Sequence, residues 1–175
     1  MQLNSLSYER SDTDQSSLDS IERELTAIKQ DTTHLSGKNN TEEIKRANNM
    51  AKLYQLAGLI YFERVLKRSP NNKQVKEWAT EAFGLLRESV ICERAFPLFF
   101  IACEAQNDIQ RELILSVFEN THKRSHQRRL YAVQGMIESM WVQNDLIMDS
   151  NTQWRTYVDT LNTIMSSNEL LPTLA

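Results

Sequence analysis

The sequence predicts an all-α protein, a non-repeating bundle of about six helices that follows a disordered, acidic N-terminal segment. Four of the 175 residues are glycine and three are proline, and so few turn-forming residues favour long helices over a sheet with many tight turns. Apolar residues recur at steps of three and four between residues 41 and 165, the period of helices with one buried face. No stretch in that range alternates polar and apolar residues long enough to predict a strand.

Residues 1–40 differ in composition from the rest of the chain. Stretches such as "SYERSDTDQSSLDS" contain too few large apolar residues to offset the entropy lost on ordering. One marginal helix is predicted within them from four apolar residues at helical spacing: Leu18, Ile21, Leu25 and Ile28. We therefore predict a flexible polar segment over 1–40 and a helical domain over 41–175.

The helical domain opens with two helices joined by "SPNN". Thr41 can accept hydrogen bonds from the first free amides of the first helix, and Pro70 ends it because the residue before a proline avoids the helical conformation. The apolar face of the first helix contains Met50, Leu53, Tyr54, Ala57, Ile60, Tyr61 and Val65. That of the second contains Val75, Trp78, Ala79, Ala82, Leu85 and Leu86. Such a short connection predicts a helical hairpin.

Four further helices complete the predicted bundle. The first of them begins at Pro97, which suits a first helical turn, and its residues 98–103 are apolar on every side, so this helix is predicted to be central and buried. Asn107 or Asp108 caps the next helix. The apolar face of this helix contains Leu113, Ile114, Val117 and Phe118. That of the fifth predicted helix contains Leu130, Val133, Ile137, Met140 and Trp141. That of the sixth contains Trp154, Tyr157, Val158, Leu161, Ile164 and Met165.

A repeating scaffold is the alternative to a single bundle. A tetratricopeptide unit has a 34-residue period and ends in proline, and with Pro70 in that role Gly58 and Phe62 fit its second helix. However, Asn49 stands where an aromatic residue is expected, and Glu104 stands one period after Pro70. One half-matched unit does not predict a repeat, because at least three units are needed to bury the stacked faces.

The net charge and the length of the apolar stretches exclude several classes of function. A net charge of −3 and a sequence pI of about 5.7 do not indicate the excess of positive charge that nucleic-acid binding requires. The opening residues "MQLNSLSYERSDTD" lack the apolar core of a secretory signal, and no apolar run reaches the ~20 residues of a membrane span. Two cysteines do not make a disulfide framework. A soluble intracellular protein without a membrane partner is expected.

His122 and His126 are the strongest candidate metal ligands, since a spacing of four places two imidazoles on one helical face. They lie in "THKRSHQRR", whose cations Lys123, Arg124, Arg128 and Arg129 would repel a metal ion. No third ligand is close in sequence, so we expect a solvated segment between helices and no metal. The same basic cluster also fits a localisation signal or a phosphate site, although Glu112, Glu119 and Glu138 flank it and favour a solvated face.

Cys92 and Cys103 are the candidate nucleophiles. Cys103 lies in the most apolar helix and is interpreted as a core residue, and neither cysteine has a base close in sequence that would lower its pKa. Glycine-rich phosphate loops, nucleophile elbows and recognisable carboxylate pairs are missing from the sequence. We therefore expect no enzyme activity, no catalytic residue and no cofactor. The tryptophans and methionines are interpreted as core, although such residues also build apolar ligand pockets between helices.

Two stretches resemble the C-terminal fungal-specific regulatory domain of zinc-cluster transcription factors: "AKLYQLAGLIYFERVLKRSPNNKQV" and "PLFFIACEAQNDIQRELILSVFE". In the first, a leucine–tyrosine–x–x–alanine–x–leucine–isoleucine–tyrosine pattern is matched by Leu53, Tyr54, Ala57, Leu59, Ile60 and Tyr61. In the second, a "PLFIAGCEA"-like helix is matched by Pro97, Leu98, Phe99, Cys103, Glu104 and Ala105, whereas Phe100, Ile101 and Ala102 depart from it. "RELIL" at 111–115 and "ESMWVQND" at 138–145 also resemble the family, so the resemblance covers roughly residues 45–165.

The resemblance implies a regulatory or effector region of a fungal transcription regulator that acts in the nucleus on RNA polymerase II transcription, by sensing a small molecule or by protein assembly. The family's DNA-binding zinc cluster needs six cysteines, so no direct DNA binding is expected of this chain, and no ligand-contacting residue follows from the resemblance. Because the family's regulatory region is longer, the chain resembles its C-terminal portion, a fragment or a truncated relative. The alternative is a freestanding helical interaction module.

A shortened domain is expected to expose apolar surface. Leu56 and Leu59 lie beside the main apolar stripe of the first helix, and residues 1–40 are too polar to replace missing helices. These side chains are therefore expected to stay uncovered, and the chain to self-associate, to bind other protein subunits or to hold an apolar effector.

Overall fold

The structure is a computed structural model that describes residues 12–28, 41–67, 72–125 and 128–146. Its α-helices are α1 (Asp12–Ala27), α2 (Thr41–Tyr61), α3 (Lys73–Ser89), α4 (Ala95–Cys103), α5 (Asp108–Arg124) and α6 (Arg128–Leu146). No strand occurs within these ranges, and the predicted all-α fold class is confirmed. None of the described helices is long and apolar enough to cross a membrane. Pro70 and the helix predicted at 154–165 lie outside the described residues, and the predicted boundary at residue 40 stays a prediction.

α4 forms the centre of the bundle, as its composition predicts. Every residue of the helix except Phe96 is buried, because α2, α3, α5 and α6 all pack against it. A helix without a polar face has to be enclosed in this way, since each exposed apolar side chain would forgo its transfer free energy. The surrounding helices need to bury only one face each, and α3 shows this most clearly, with Val75, Ala79, Ala82, Phe83 and Leu86 buried along one side.

Two asparagine side chains define where α3 and α5 begin. The Asn72 side chain accepts a hydrogen bond from the Gln74 amide at 2.9 Å, and the Asn107 side chain accepts one from the Gln110 amide at 3.0 Å. Both satisfy amides that have no partner inside the helix. Of the two residues predicted as the cap of α5, Asn107 and Asp108, the structure shows that Asn107 is the cap.

α1 packs on α2, and the apolar face of α2 that was expected to stay exposed is buried. Leu56 is 1% exposed and Leu59 is 3% exposed, so that expectation is wrong. Leu25 of α1 lies over Gly58, where an added Cβ would be 3.8 Å from the leucine methyl group. The side-chain Nε2 of Gln55 in α2 donates to carbonyl oxygens at the end of α1, those of Leu25 (2.8 Å), Thr26 (3.0 Å) and Ile28 (3.2 Å). A helix of low apolar content thus docks because its terminal carbonyls receive a partner from another helix.

α2 ends in a π-helical turn at Phe62–Leu66. Its wider ring is closed by the Lys67 amide, which donates to the Phe62 carbonyl at 2.9 Å. π-helical turns are rare and occur frequently at functional sites. Periodicity in the sequence does not predict this turn, because Val65 continues the apolar spacing of a regular helix.

α3 ends at Val90, which adopts the left-handed conformation with φ 60°. This conformation is strained for a β-branched residue and is normally taken by glycine. The Val90 amide still donates to the Leu86 carbonyl at 2.9 Å. The chain then reverses towards α4, and the Cys92 amide donates to the buried Thr121 hydroxyl of α5 at 3.1 Å.

The central position of α4 predicts a large effect of truncating Phe99. Its ring is 0% exposed and meets the Phe100 ring edge-to-face, with centroids 5.2 Å apart. We expect Phe99→Ala to lower the free energy of unfolding by about 3–5 kcal/mol, since the cavity cannot collapse in a helix enclosed on all sides. Urea unfolding followed by circular dichroism measures this change in the free energy of unfolding. Ile109→Ala, at a side chain that is 70% exposed, is the control and should change stability by less than about 0.5 kcal/mol. Equal effects of the two substitutions would mean that α4 is not the core.

Candidate functional site

The two stretches that carry the family resemblance meet in space where α2 packs on α4. Tyr54 and Tyr61 of α2 and Phe96 and Phe100 of α4 form one aromatic cluster, which we call the aromatic patch. Phe96 is central to it: its ring is stacked with Tyr54 at 6.1 Å between centroids and lies 6.2 Å from Tyr61 and 5.0 Å from Phe100. The Tyr61 and Phe100 rings meet edge-to-face at 5.1 Å. These spacings are those of favourable aromatic pairs.

The aromatic patch lies at the boundary between core and surface. Phe100 is buried, whereas Tyr54, Tyr61 and Phe96 are only partly buried. Partly buried tyrosine and phenylalanine side chains offer apolar area at a small cost in side-chain entropy, and such residues are enriched at the centres of protein interfaces. The patch contains no nucleophile and no titrating acid–base pair. Its chemistry therefore suits contact with another apolar surface and not catalysis.

A buried ion pair fixes α2 against α4 next to the aromatic patch. Arg64, in the π-helical turn, donates from Nε to Glu104 Oε1 at 2.8 Å and from an Nη atom to Glu104 Oε2 at 2.7 Å. Glu104 immediately follows the last residue of α4. The side chains are 12% and 5% exposed, so each charge depends on the other for compensation. This two-bond geometry also fixes orientation, because the planar guanidinium group matches the carboxylate.

Lys67 extends the charged cluster to α1. Its ammonium group lies 2.5 Å from a carboxylate oxygen of Glu22 in α1 and 3.0 Å from one of Glu63 in the π-helical turn. Burial acts to lower the pKa of Lys67, but the hydrogen bonds to Glu22 and Glu63 outweigh it and raise the pKa above its ordinary value. The turn and the residue that follows it thus supply Glu63, Arg64 and Lys67, which join α1, α2 and the end of α4.

Comparison with known proteins agrees with this geometry. Residues 3–167 match the model of the family described as the fungal specific transcription factor domain. The chain belongs to this family.

A curated relative of this fungal specific transcription factor domain is transcription factor iacI of Pestalotiopsis fici. The two are 31% identical over 98 residues, which make up 55% of this chain and 26% of the relative. The match thus spans about a quarter of the relative's length. No solved structure matches the chain.

The family match confirms the resemblance found in the sequence and extends it. It begins at residue 3, not near residue 45, and so includes α1. This extent agrees with the structure, in which α1 packs on α2. The family-like residues Tyr54 and Tyr61 lie in the aromatic patch, and Glu104 is the acceptor of the buried ion pair. Ala102, where the family pattern has glycine, still allows close approach, since its carbonyl accepts a hydrogen bond from Trp141 Nε1 of α6 at 2.9 Å.

The predicted histidine pair is not assembled as a metal site in the described part of the chain. His122 is stacked on Tyr131 with centroids 3.7 Å apart, and its Nε2 lies 3.4 Å from Gln134 Oε1. His126 lies outside the described residues. Among the residues that the structure describes, no group of three histidine, cysteine or acidic side chains is placed to hold a metal ion.

The basic cluster beside these histidines lies on the surface. Lys123, Arg124, Arg128 and Arg129 are all exposed. Lys123 pairs with Glu119 at 2.8 Å, and its hydrogen bond lowers the pKa of the Glu119 carboxyl. This arrangement agrees with the solvated face that the flanking glutamates favour.

Both cysteines are buried and belong to the core. Cys103 is the last residue of α4, as its apolar surroundings in the sequence predict. Cys92 lies in the loop before α4, where its thiol donates to the Arg94 carbonyl at 3.5 Å. Burial raises the pKa of the Cys92 thiol to about 11, which opposes formation of the reactive thiolate.

The ion pair of Arg64 and Glu104 is not apparent from the sequence. The partners are 40 residues apart, and no local pattern predicts which of the many charged residues pair in the folded chain. The available signal was Glu104 itself, a carboxylate that directly follows a wholly apolar helix and therefore needs a cation.

The buried thiols predict slow modification of the native protein. We expect neither cysteine to react appreciably with the thiol reagent DTNB near neutral pH, because the sulfurs are covered and the Cys92 thiol stays protonated. Both should react once urea unfolds the chain. Ile109→Cys, which places a thiol at a position that is 70% exposed, is the control and should react immediately. A native cysteine that reacts as fast as this control would contradict the burial described above.

Proposed function

We propose that this domain is the regulatory region of a fungal zinc-cluster-type transcription regulator and controls RNA polymerase II transcription in the nucleus through protein–protein assembly. The observation that carries the proposal is the family match over residues 3–167. A transcription factor of Pestalotiopsis fici is among the similar proteins. The family is one of transcription factor domains and not of enzymes.

The aromatic patch favours assembly as the mode of action. Both family-like stretches contribute to it, and its partly buried rings, those of Tyr54, Tyr61 and Phe96, rest on a rigid support formed by the buried α4 and the adjacent ion pair. Preorganised aromatic side chains of this kind lose little entropy on binding. The partner is another protein subunit or a second copy of the chain. In the alternative, ligand sensing, an apolar effector would occupy the same aromatic surface.

DNA recognition is assigned to a separate module. The chain has two cysteines and a net charge of −3, whereas the family's DNA-binding cluster uses six cysteines and phosphate binding requires a local excess of cations. The isolated chain should therefore give no sequence-dependent gel shift with duplex DNA.

Fusion of the chain to a DNA-binding domain tests the proposed transcriptional role. We expect the full chain, fused to a heterologous DNA-binding domain, to change reporter transcription relative to the DNA-binding domain alone. Tyr54→Lys should abolish most of this effect, since a cation in the aromatic patch would be desolvated on assembly. Ile109→Lys adds the same charge at an exposed site on α5 and serves as the matched control.

Two results would contradict the proposal. A fusion that gives the same reporter transcription as the DNA-binding domain alone would contradict the transcriptional role. A Tyr54→Lys fusion that retains full activity at equal abundance would remove the aromatic patch as the assembly surface. Sedimentation of the purified chain at increasing concentration separates a second copy from a different subunit as the partner.

A further inference from the structure

α1 is attached to the bundle in a different way from the other described helices. Each of the helices α2–α6 contains buried residues, whereas none of residues 16–27 of α1 is buried. Regions with few buried apolar contacts are the ones that open most readily in a folded protein. The position of α1 therefore depends on a small number of specific contacts with α2 and with the residues that end it.

These contacts show that α1 runs antiparallel to α2. Near the C-terminal end of α1, Gln55 Nε2 donates to the Leu25 carbonyl oxygen at 2.8 Å, and the Leu25 side chain lies over Gly58. About one helical turn earlier in α1, the Glu22 carboxylate pairs with the Lys67 ammonium group. α1 is thus attached on both sides of the π-helical turn, at residues that precede it and at the residue that follows it.

The π-helical turn brings Lys67 to the side of the helix that faces α1. Lys67 follows Gln55 by twelve residues, and in a continuous α-helix the two side chains would point about 120° apart around the axis. The π-helical turn closes its hydrogen bonds over five residues instead of four, so it sets the residues after it back by one helical position, about 100°. The two side chains then point only about 20° apart, which agrees with their shared contact with α1.

Lys67 also holds the turn itself closed. Its backbone amide donates to the Phe62 carbonyl oxygen at 2.9 Å. Its ammonium group lies 5.2 Å from the centroid of the Phe62 ring and 3.0 Å from a carboxylate oxygen of Glu63. The same residue therefore maintains the turn and binds Glu22 of α1. Docked α1 and the π-helical turn stabilise each other, because the loss of either one removes a contact of Lys67.

The beginning of the turn belongs to the aromatic patch. Tyr61 directly precedes the turn, and its ring lies 6.2 Å from that of Phe96 and 5.1 Å from that of Phe100. Arg64, within the turn, forms the buried ion pair with Glu104. Relaxation of the turn to a regular α-helix would rotate Arg64 about the helix axis and so disturb the support of the patch. The turn therefore connects the docking of α1 to the geometry of the aromatic rings.

We propose that α1 is a detachable regulatory helix, which keeps the turn π-helical and the aromatic patch preorganised when it is docked and loosens both when it is released. A preorganised surface binds its partner more tightly, so docked α1 favours assembly. Coupling of this kind is reciprocal, and a partner bound to the patch also favours docked α1. The regulatory role rests on the assembly function proposed for the aromatic patch, whereas the coupling between α1 and the turn does not.

Hydrogen exchange of the full chain, followed by mass spectrometry, tests the coupling. Glu22→Gln weakens the contact of α1 with Lys67, and Gln55→Ala removes a contact that lies away from the turn and reaches it through α1. We expect each substitution to speed exchange of the backbone amides of α1 and of the π-helical turn by about threefold or more. Glu24→Gln, at an exposed position of α1, is the matched control and should change neither. Exchange in α5 is the internal control for folding.

Three results of this experiment would overturn the proposal. The first is free exchange of the α1 amides in the unmodified chain. The second is exchange of α1 that neither Glu22→Gln nor Gln55→Ala changes. The third is faster exchange of α1 with unchanged exchange of the turn, which would show that α1 docks independently of it.

The reporter fusion separates the regulatory role from the proposed function. We expect the Gln55→Ala fusion to lose about half or more of its effect on transcription, and the Glu24→Gln fusion to retain it. Full activity of the Gln55→Ala fusion, with α1 and the turn both exchanging faster, would overturn the regulatory role. A Tyr54→Lys fusion with full activity would instead contradict the assembly function, and hydrogen exchange would still decide the coupling.

Discussion

The buried ion pair between Arg64 and Glu104 constrains the rest of the domain more than any other interaction. Neither charge tolerates burial alone, so the end of α2 and the end of α4 have to meet in the one arrangement that pairs them. That arrangement places the π-helical turn, and with it Glu63 and Lys67, against α1. The aromatic patch lies on the same two helices, α2 and α4, and its geometry therefore depends on how this pair holds them together.

The hydrophobic effect drives the helices to pack on α4, and the ion pair determines the orientation in which α2 packs there. α4 has no polar face, and its burial draws four helices around it. Apolar burial is not directional and would tolerate several rotations of α2 over α4. The two parallel hydrogen bonds of the ion pair select one of them. The same division of roles recurs where Trp141 is buried and its Nε1 donates to the Ala102 carbonyl, which fixes α6 on α4.

Local patterns predicted most of the helices, and interactions between distant residues account for what they missed. The helical period located α3, the period together with the predicted cap located α5, and composition alone located α4, because these signals act within a few residues. The ion pair, the docking of α1 through Gln55 and the left-handed Val90 depend on which surfaces meet in three dimensions. The expected exposure of Leu56 and Leu59 was wrong for the same reason: polar composition does not show that a helix can dock by hydrogen bonds to its terminal carbonyls. The residues of the aromatic patch could be identified in the sequence, but the sequence did not predict that they come into contact in the fold.

A double-mutant cycle at Arg64 and Glu104 measures how strongly the two residues depend on each other for stability. Arg64→Met, Glu104→Gln and the double variant are compared with the parent by urea unfolding. We expect each single substitution to cost about 3–5 kcal/mol, because it removes one of the two charges of a largely buried pair. The double variant should cost less than the sum of the two by at least about 2 kcal/mol. Costs that add within about 0.5 kcal/mol would show that the two residues act independently, and would contradict the account of the ion pair as the constraint that orders the domain.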